Sequence, residues 1–211
     1  MEVNFNKFKD ELNFSVLVHF PGPLCNLKKK SDVSFVCQDM QDSVESISTY
    51  LNPLNDFSSE KISQVLEMVK LEKDLDVFHL TTLEIQKLQL AKTLLHLPKM
   101  IVLEYFFDNL IYSEREYFKR LFRNLIYKKK VSIVLIEKDM NFIVETVKKI
   151  YLFEDGFKWR RIDDFYDESI YSYVEMPYTV ELVKYLESKG HVVDHDFTFL
   201  ETLKAIYRGV S

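Results

Sequence analysis

Glycine is scarce in this chain, with four residues in 211. Loops that wrap backbone amides around a phosphate need glycine, because only glycine tolerates the left-handed conformations and the close approach. A conventional phosphate cradle therefore has little material to be built from. Cysteine is nearly absent as well: Cys25 and Cys37 show no metal-ligand spacing and are too few for a disulfide framework, which fits reduced thiols in a cytosolic protein. The longest strongly apolar stretches, such as VSIVLI at 131–136, fall far short of the roughly 20 residues a membrane span needs, and no signal peptide is visible. Any membrane role is expected to be peripheral. Positive charge is not in excess either. Lys plus Arg is 28 against 33 for Asp plus Glu, a net charge of -5, so electrostatics offers no reason to expect nucleic acid as a partner. The lysine runs Lys28 to Lys30 and Lys128 to Lys130 read as solvated turns rather than phosphate grips.

What is present is a well-stocked core. At 47% apolar and 14% aromatic, the chain can bury one ample core or two small ones. FSVLV (14–18) and VSFVC (33–37) read as buried strands. A helix follows, with Ser58 or Ser59 as N-cap and Ile62, Val65, Leu66 and Val69 on one face. A second helix carries the stripe Leu88, Ala91 and Leu95 with Leu90 and Leu94 beside it, and Pro98 stops it. Met100 to Leu103 read as a central strand. Ser113 and Glu116 have the spacing of a capping box, predicting a helix through Leu125 with Tyr117, Leu121 and Leu125 as its buried row. VSIVLI is a further strand, Met140 to Lys149 a short helix on Ile143, Val144 and Val147, and IYLFEDG a strand entering a turn at Gly156. Strand and helix alternating at this spacing predict parallel pairing in an α/β layered domain over residues 1–157. Residues 158–176 show no clear period. Two helices then follow, Tyr178 to Lys189 closed by Gly190 and Thr198 to Tyr207 opened by Thr198 and Glu201, making a C-terminal helical extension over 158–211.

The order of the pieces carries a resemblance. HLTTLEIQKLQLAKTLLHLPKMIVLEYFFDNL (79–110) is similar to the core of ATP-binding-cassette (ABC) ATPases, in which a signature loop of the type L-S-G-G-[EQ] opens a helix and P-K leads into the Walker B strand. On that frame Leu80, Thr81, Thr82, Leu83 and Glu84 fall on the signature, Gln86 and Lys87 on its Q-R, and Met100 to Glu104 on Walker B. VSFVCQD resembles the Q-loop strand and puts Gln38 on its glutamine, while SIVLIEKDMNFI resembles the strand ending in the switch histidine and puts Lys138 there. The tail MPYTVELVKYLESKGHVVDHDFTFLETLKAIY resembles the C-terminal extension of energy-coupling-factor importer ATPases. The resemblance covers nearly the whole chain from about residue 14, and it implies a truncated P-loop NTPase, ABC ATPase-like fold.

The resemblance also implies chemistry that the residues do not supply. Gly22 and Lys28 have Walker A spacing, but Leu27 replaces the second glycine and Lys29 the Mg-binding hydroxyl. Gln38 follows only ten residues after Lys28, which leaves no room for the phosphate-facing helix. A degenerate Walker A and a plain Pro-Gly turn both remain open readings. Glu104 and Tyr105 stand where Walker B has Asp and the catalytic Glu, and tyrosine, with a pKa near 10, is a poor base at neutral pH. Loss of a general base alone costs on the order of 10²- to 10⁴-fold in rate. Ile111 takes the D-loop aspartate's place, and Thr82 and Leu83 that of the signature glycines. The combined expectation is a pseudo-ATPase that needs no cofactor, with ATP and Mg entering only if a weak ATP-binding function survives.

Binding is the function left to such a frame. The segment after the Q-loop glutamine in the family receives membrane-subunit coupling helices, so Asp39, Asp42 and Glu45 form a candidate partner groove, weighed against simple solvated acids. The C-terminal extension offers a homodimer surface by analogy, against local packing alone. Pairing with an intact ABC ATPase would damage both composite sites, so inhibition is as open as support. His191, Asp194 and His195 do not make a metal site for want of further ligands. Tyr105, Phe106 and Phe107 are expected to fill space that nucleotide would take. The favoured expectation is a noncatalytic subunit of an energy-coupling-factor-type importer, cytoplasmic or peripheral at the inner face of the cell membrane. A soluble partner-binding protein unrelated to transport is the alternative.

Overall fold

The computed structural model describes residues 15–18, 32–37, 46–72, 75–146, 149–153, 157–161, 168–172, 174–192 and 199–209. They fall into two compact units, one drawn from Gly22–Leu135 and the other from Ser15–Pro21 and Ile136–Ser211.

The first unit contains strands β2 (Val33–Val36), β3 (Met100–Glu104) and β4 (Ser132–Ile136), hydrogen-bonded in that order. β2 and β3 are parallel, Val33 opposite Met100 through Val36 opposite Leu103. β3 is buried along its whole length, as its unbroken apolar run requires of a central strand covered on both faces. Around these strands lie α1 (Ile47–Leu51), α2 (Ser59–Val69), α3 (Thr82–His96) and α4 (Tyr112–Lys129). Ser58 caps α2, and Ile62, Val65, Leu66 and Val69 are its buried face, as the periodicity predicts. The five stripe residues of α3 are buried too, but Gln86, Lys87 and Thr93 join them. With few glycines to hand, α2, α3 and α4 end on Lys70, Leu97 and Lys130 in the left-handed conformation that glycine usually supplies.

α4 departs from expectation. No capping box forms at Ser113 and Glu116: α4 begins at Tyr112, Ile111 is the N-cap without a side-chain bond, and Glu116 pairs with Lys119 instead. The reason is the preceding turn. Leu110 is buried and the Ile111 carbonyl already accepts from Glu114 and Arg115, so the helix starts before Ser113 can cap it. The buried row is shifted by one residue, to Phe118, Phe122, Leu125 and Ile126, leaving Tyr117 and Leu121 half-buried. Phe106 and Phe107 set this register by packing edge-on against Phe122, and Phe106 also against Phe118, with ring centroids 4.9–5.9 Å apart. These two phenylalanines are core between β3 and α4, not filler facing a vacated site. α4 also runs on through Lys128 and Lys129, so the lysine run is a last helical turn capped by Lys130.

The second unit contains β1 (Ser15–Val18), β5 (Lys149–Phe153) and β6 (Phe157–Arg161) in that order. β1 and β5 are parallel; β5 and β6 are antiparallel, Lys149 opposite Arg161 through Phe153 opposite Phe157. β6 was not anticipated. Its short alternation FKWRR is too polar to stand out, and residue 157 is its first residue. α5 (Met140–Thr146) is shorter than its sequence pattern suggests, because Lys149 already belongs to β5. α6 (Tyr178–Ser188) and α7 (Phe199–Gly209) are the two C-terminal helices. Gly190 lies past the end of α6 at φ +86, a conformation open to glycine at little cost. Thr198 and the Glu201 side chain lie outside the described residues. No described helix is long and apolar enough to cross a membrane.

Candidate functional site

Parallel strands present their ligand-binding edge at their carboxyl ends, and in the first unit that edge is formed by Cys37 after β2 and Glu104 at the end of β3. The segment Leu80 to Glu84 is the start of α3. Thr81 is its N-cap, with its hydroxyl oxygen accepting from the Glu84 N–H at 3.3 Å. The Glu84 carboxylate reaches back, taking the Thr81 N–H at 2.8 Å and the Thr81 hydroxyl proton at 2.7 Å. These bonds from the Thr81 backbone and then its hydroxyl hold Glu84 below the usual carboxylate range. The Thr81–Glu84 box thus satisfies the first donors of α3 locally. Thr82 is exposed and Leu83 partly so.

One turn further in, α3 clamps both strand ends. Gln86, fully buried, donates through Nε2 to the Glu104 carbonyl at 2.6 Å, and the Oε1 of Gln89 accepts from the Cys37 N–H at 2.7 Å. Both backbone groups lie where the ladder of β2 and β3 runs out, and leaving either unsatisfied inside the protein would cost about 1–3 kcal/mol. Gln86 Oε1 has no hydrogen-bond partner among the described residues. Lys87, with a side chain only 8% exposed, pairs with Glu114 in the first turn of α4 at 3.1 Å, and its Nζ also points to the Lys70 carbonyl at the end of α2 at 3.5 Å. The Tyr117 hydroxyl donates to the Met68 carbonyl at 2.8 Å. The starts of α3 and α4 and the end of α2 are in this way tied to the edge of β3.

Glu104 is buried at the end of β3, and Tyr105 next to it is half-buried with φ +47. A bulky side chain in the left-handed region is disfavoured by roughly 1–2 kcal/mol. Ile111 is 66% exposed at the start of α4. Glu84 and Glu114 therefore bring carboxylates to the Lys87 ammonium.

Lys138 belongs to the second unit, where it is exposed and its N–H donates to Glu137 Oε1 at 3.2 Å. Glu137 itself is 1% exposed, and Asp139 Oδ1 caps α5 by accepting from Asn141 and Phe142. Gly22, Lys28, Lys29, Gln38, Asp39, Asp42, Glu45, Asp194 and His195 lie outside the described residues, and His191 is exposed. No group of His, Cys, Asp and Glu among the described residues is placed to hold a metal ion. Sequence reading missed the Lys87–Glu114 pair, the Gln89 clamp and the buried Glu137. The available signal was a pair of glutamines three apart on a helix face otherwise filled by leucine.

No family model matches the sequence, and no curated protein does either. Solved structures do match in fold. A protein described as a metal-chelate-type ABC transporter, in an inward-facing conformation, aligns with a TM-score of 0.57 at 15% identity over 77% of this chain and 78% of its own. A dimeric ATP-binding cassette in a post-hydrolysis state with ADP and Pi gives 0.57 at 15% identity, over 72% and 87%. CbiO1 from Clostridium perfringens, part of the ABC transporter complex CbiONQ, gives 0.57 at 12% identity, over 82% and 88%. The chain has the mixed α/β fold of ABC ATPases, with its parallel strands and flanking helices.

Proposed function

We propose that this chain is a noncatalytic relative of ABC ATPases that serves as an interaction or regulatory subunit beside an energy-coupling-factor-type importer. It sits in the cytoplasm and reaches the membrane through an intact ABC ATPase or a transmembrane coupling subunit. The observation that carries the reading is the start of α3, where Thr82, exposed, and Leu83, half-buried, follow the Thr81 N-cap. On the family's frame this segment stands where glycines would lend amides to a phosphate of the opposing subunit. The family's motif itself admits Glu at the position of Glu84, so the departure lies in Thr82 and Leu83, whose side chains stand where a glycine cradle would admit the phosphate. Tyr105 in place of the catalytic base supports the same reading, because a phenol cannot accept the proton of an attacking water at neutral pH. Fold without chemistry is compatible with binding, which needs shape and surface rather than a reaction centre.

The test is affinity capture of the tagged full chain from solubilised membranes of its own source, with partners identified by mass spectrometry. The expected result is enrichment of an ABC ATPase or a transmembrane transporter subunit. Capture of neither, together with steady ATP turnover by the purified chain alone, overturns the proposal.

A further inference from the structure

We infer that the C-terminal end of α4 is a contact surface for an anionic lipid membrane. From Lys119 to Lys130 the chain reads KRLFRNLIYKKK, without a carboxylate, in a protein whose net charge is -5. Arg123, Tyr127 and Lys130 follow at steps of four and three residues on an exposed side of the helix, apart from the buried row Phe118, Phe122 and Ile126. Lys128 and Lys129 complete the last turn, and all five side chains are exposed, Tyr127 at 63%.

The pairing pattern sets this patch apart. Every other described lysine and arginine of the first unit has an anion, an aromatic ring or a carbonyl as partner. Arg123, Lys128, Lys129 and Lys130 have none among the described residues. The negative end of the helix dipole accounts for cations in the last turn, but that effect fades within one turn and does not reach Arg123. The last carbonyls it would draw on are in part already taken, since Lys130 N–H bonds Ile126 O and Val131 N–H bonds Leu125 O. The surroundings extend the patch with an apolar element. The Lys99 carbonyl accepts from the Ser132 N–H at 2.9 Å, which sets the entries to β3 and β4 side by side, each two residues past the cap of the helix before it, and Leu97, the cap of α3, is 42% exposed.

A group of exposed cations without partners among the described residues, with an exposed tyrosine and leucine, matches a surface of diffuse negative charge with a shallow apolar layer. Lysine and arginine clusters next to interfacial tyrosine suit anionic headgroups in this way. No pocket or fork geometry is needed, and the attraction is expected to be weak, reversible and screened by salt. The inference does not depend on the subunit role, because it uses only the exposed side chains of α4 and its neighbour.

The experiment is co-sedimentation of the full chain with vesicles of phosphatidylcholine alone or mixed with phosphatidylserine. Binding is expected to the mixed vesicles only and to be released by salt. The triple variant K128Q/K129Q/K130Q is expected to lower partitioning by about 100-fold, at roughly fivefold per cation. K61Q/K92Q, which removes cations held over Phe57 and Tyr50, is expected to bind as the wild type does. Circular dichroism of both variants checks that the fold is kept. Absence of binding to anionic vesicles overturns the inference, as does an equal loss in the two variants. Binding of polyglutamate without binding of vesicles also overturns it, by pointing to an acidic protein partner. Vesicles contain no transporter, so failure here leaves the subunit proposal standing, and success does not establish it.

Discussion

Two helices start at the same edge of β3, and they start differently. α3 opens in a closed box in which Thr81 and Glu84 satisfy each other, whereas α4 opens on Ile111 with no side-chain acceptor for its first-turn donors. On the ABC frame both starts would face a nucleotide or a second subunit. The open one presents Ile111 and Tyr112, 66% and 77% exposed, to whatever approaches. The contrast teaches that two helices at one strand edge can begin with and without a side-chain cap, the fold around them intact.

The largest effect is expected where both starts share a foundation. Phe122 packs on Phe106 and Phe107 and is fully buried, so Phe122→Ala should cost about 3–5 kcal/mol, seen as a lower midpoint in urea unfolding. Next comes the strut between the two helices. Lys87→Ala leaves Glu114 without its ion partner in a site that is 20% exposed, at an expected cost of about 2 kcal/mol, and Lys87→Met should lose less because the packing of the stem is kept.

The two helix starts can then be exchanged in character. Thr81→Ala is expected to cost about 1 kcal/mol by opening the box, while Ile111→Asp should gain about half that or more by supplying α4 with the acceptor it lacks. Equal and negligible effects at both sites in denaturant titrations would erase the distinction. The smallest effect is in pH dependence. Because the folded-state pKa of Glu84 is lowered by its bonds to Thr81, its contribution is present above the ordinary glutamate pKa and is lost as pH falls through the depressed value. After solvent screening this amounts to a few tenths of a kcal/mol, read as a shallower acid limb of stability in Glu84→Gln.

How much of this was legible in the sequence depends on how local the cause is. The face of α2 and the burial of β3 follow from period and composition within a few residues, and they hold. The pattern Ser/Thr-x-x-Glu occurs at both Thr81–Glu84 and Ser113–Glu116, and the sequence alone pointed to the second as a cap. The structure forms the first, because the buried Leu110 fixes where α4 begins. Packing on Phe106 and Phe107 is why Phe118 and Phe122, not Tyr117 and Leu121, face inward. The clamps by Gln86 and Gln89 and the Lys87–Glu114 pair join residues 18 to 52 positions apart. No local rule reaches across such distances, so these contacts emerge only when strands and helices are assembled. The ABC-type fold class was legible, and solved structures match it.

The account's central claim is that this chain keeps an ABC-type fold without holding a nucleotide. Isothermal titration of the full chain with ATP and Mg tests it most directly, with Glu84→Ala run alongside. No saturable heat is expected for the wild type up to millimolar nucleotide. Micromolar binding by the wild type, undiminished at Thr81 and Glu84 but abolished by Lys28→Ala, would contradict it.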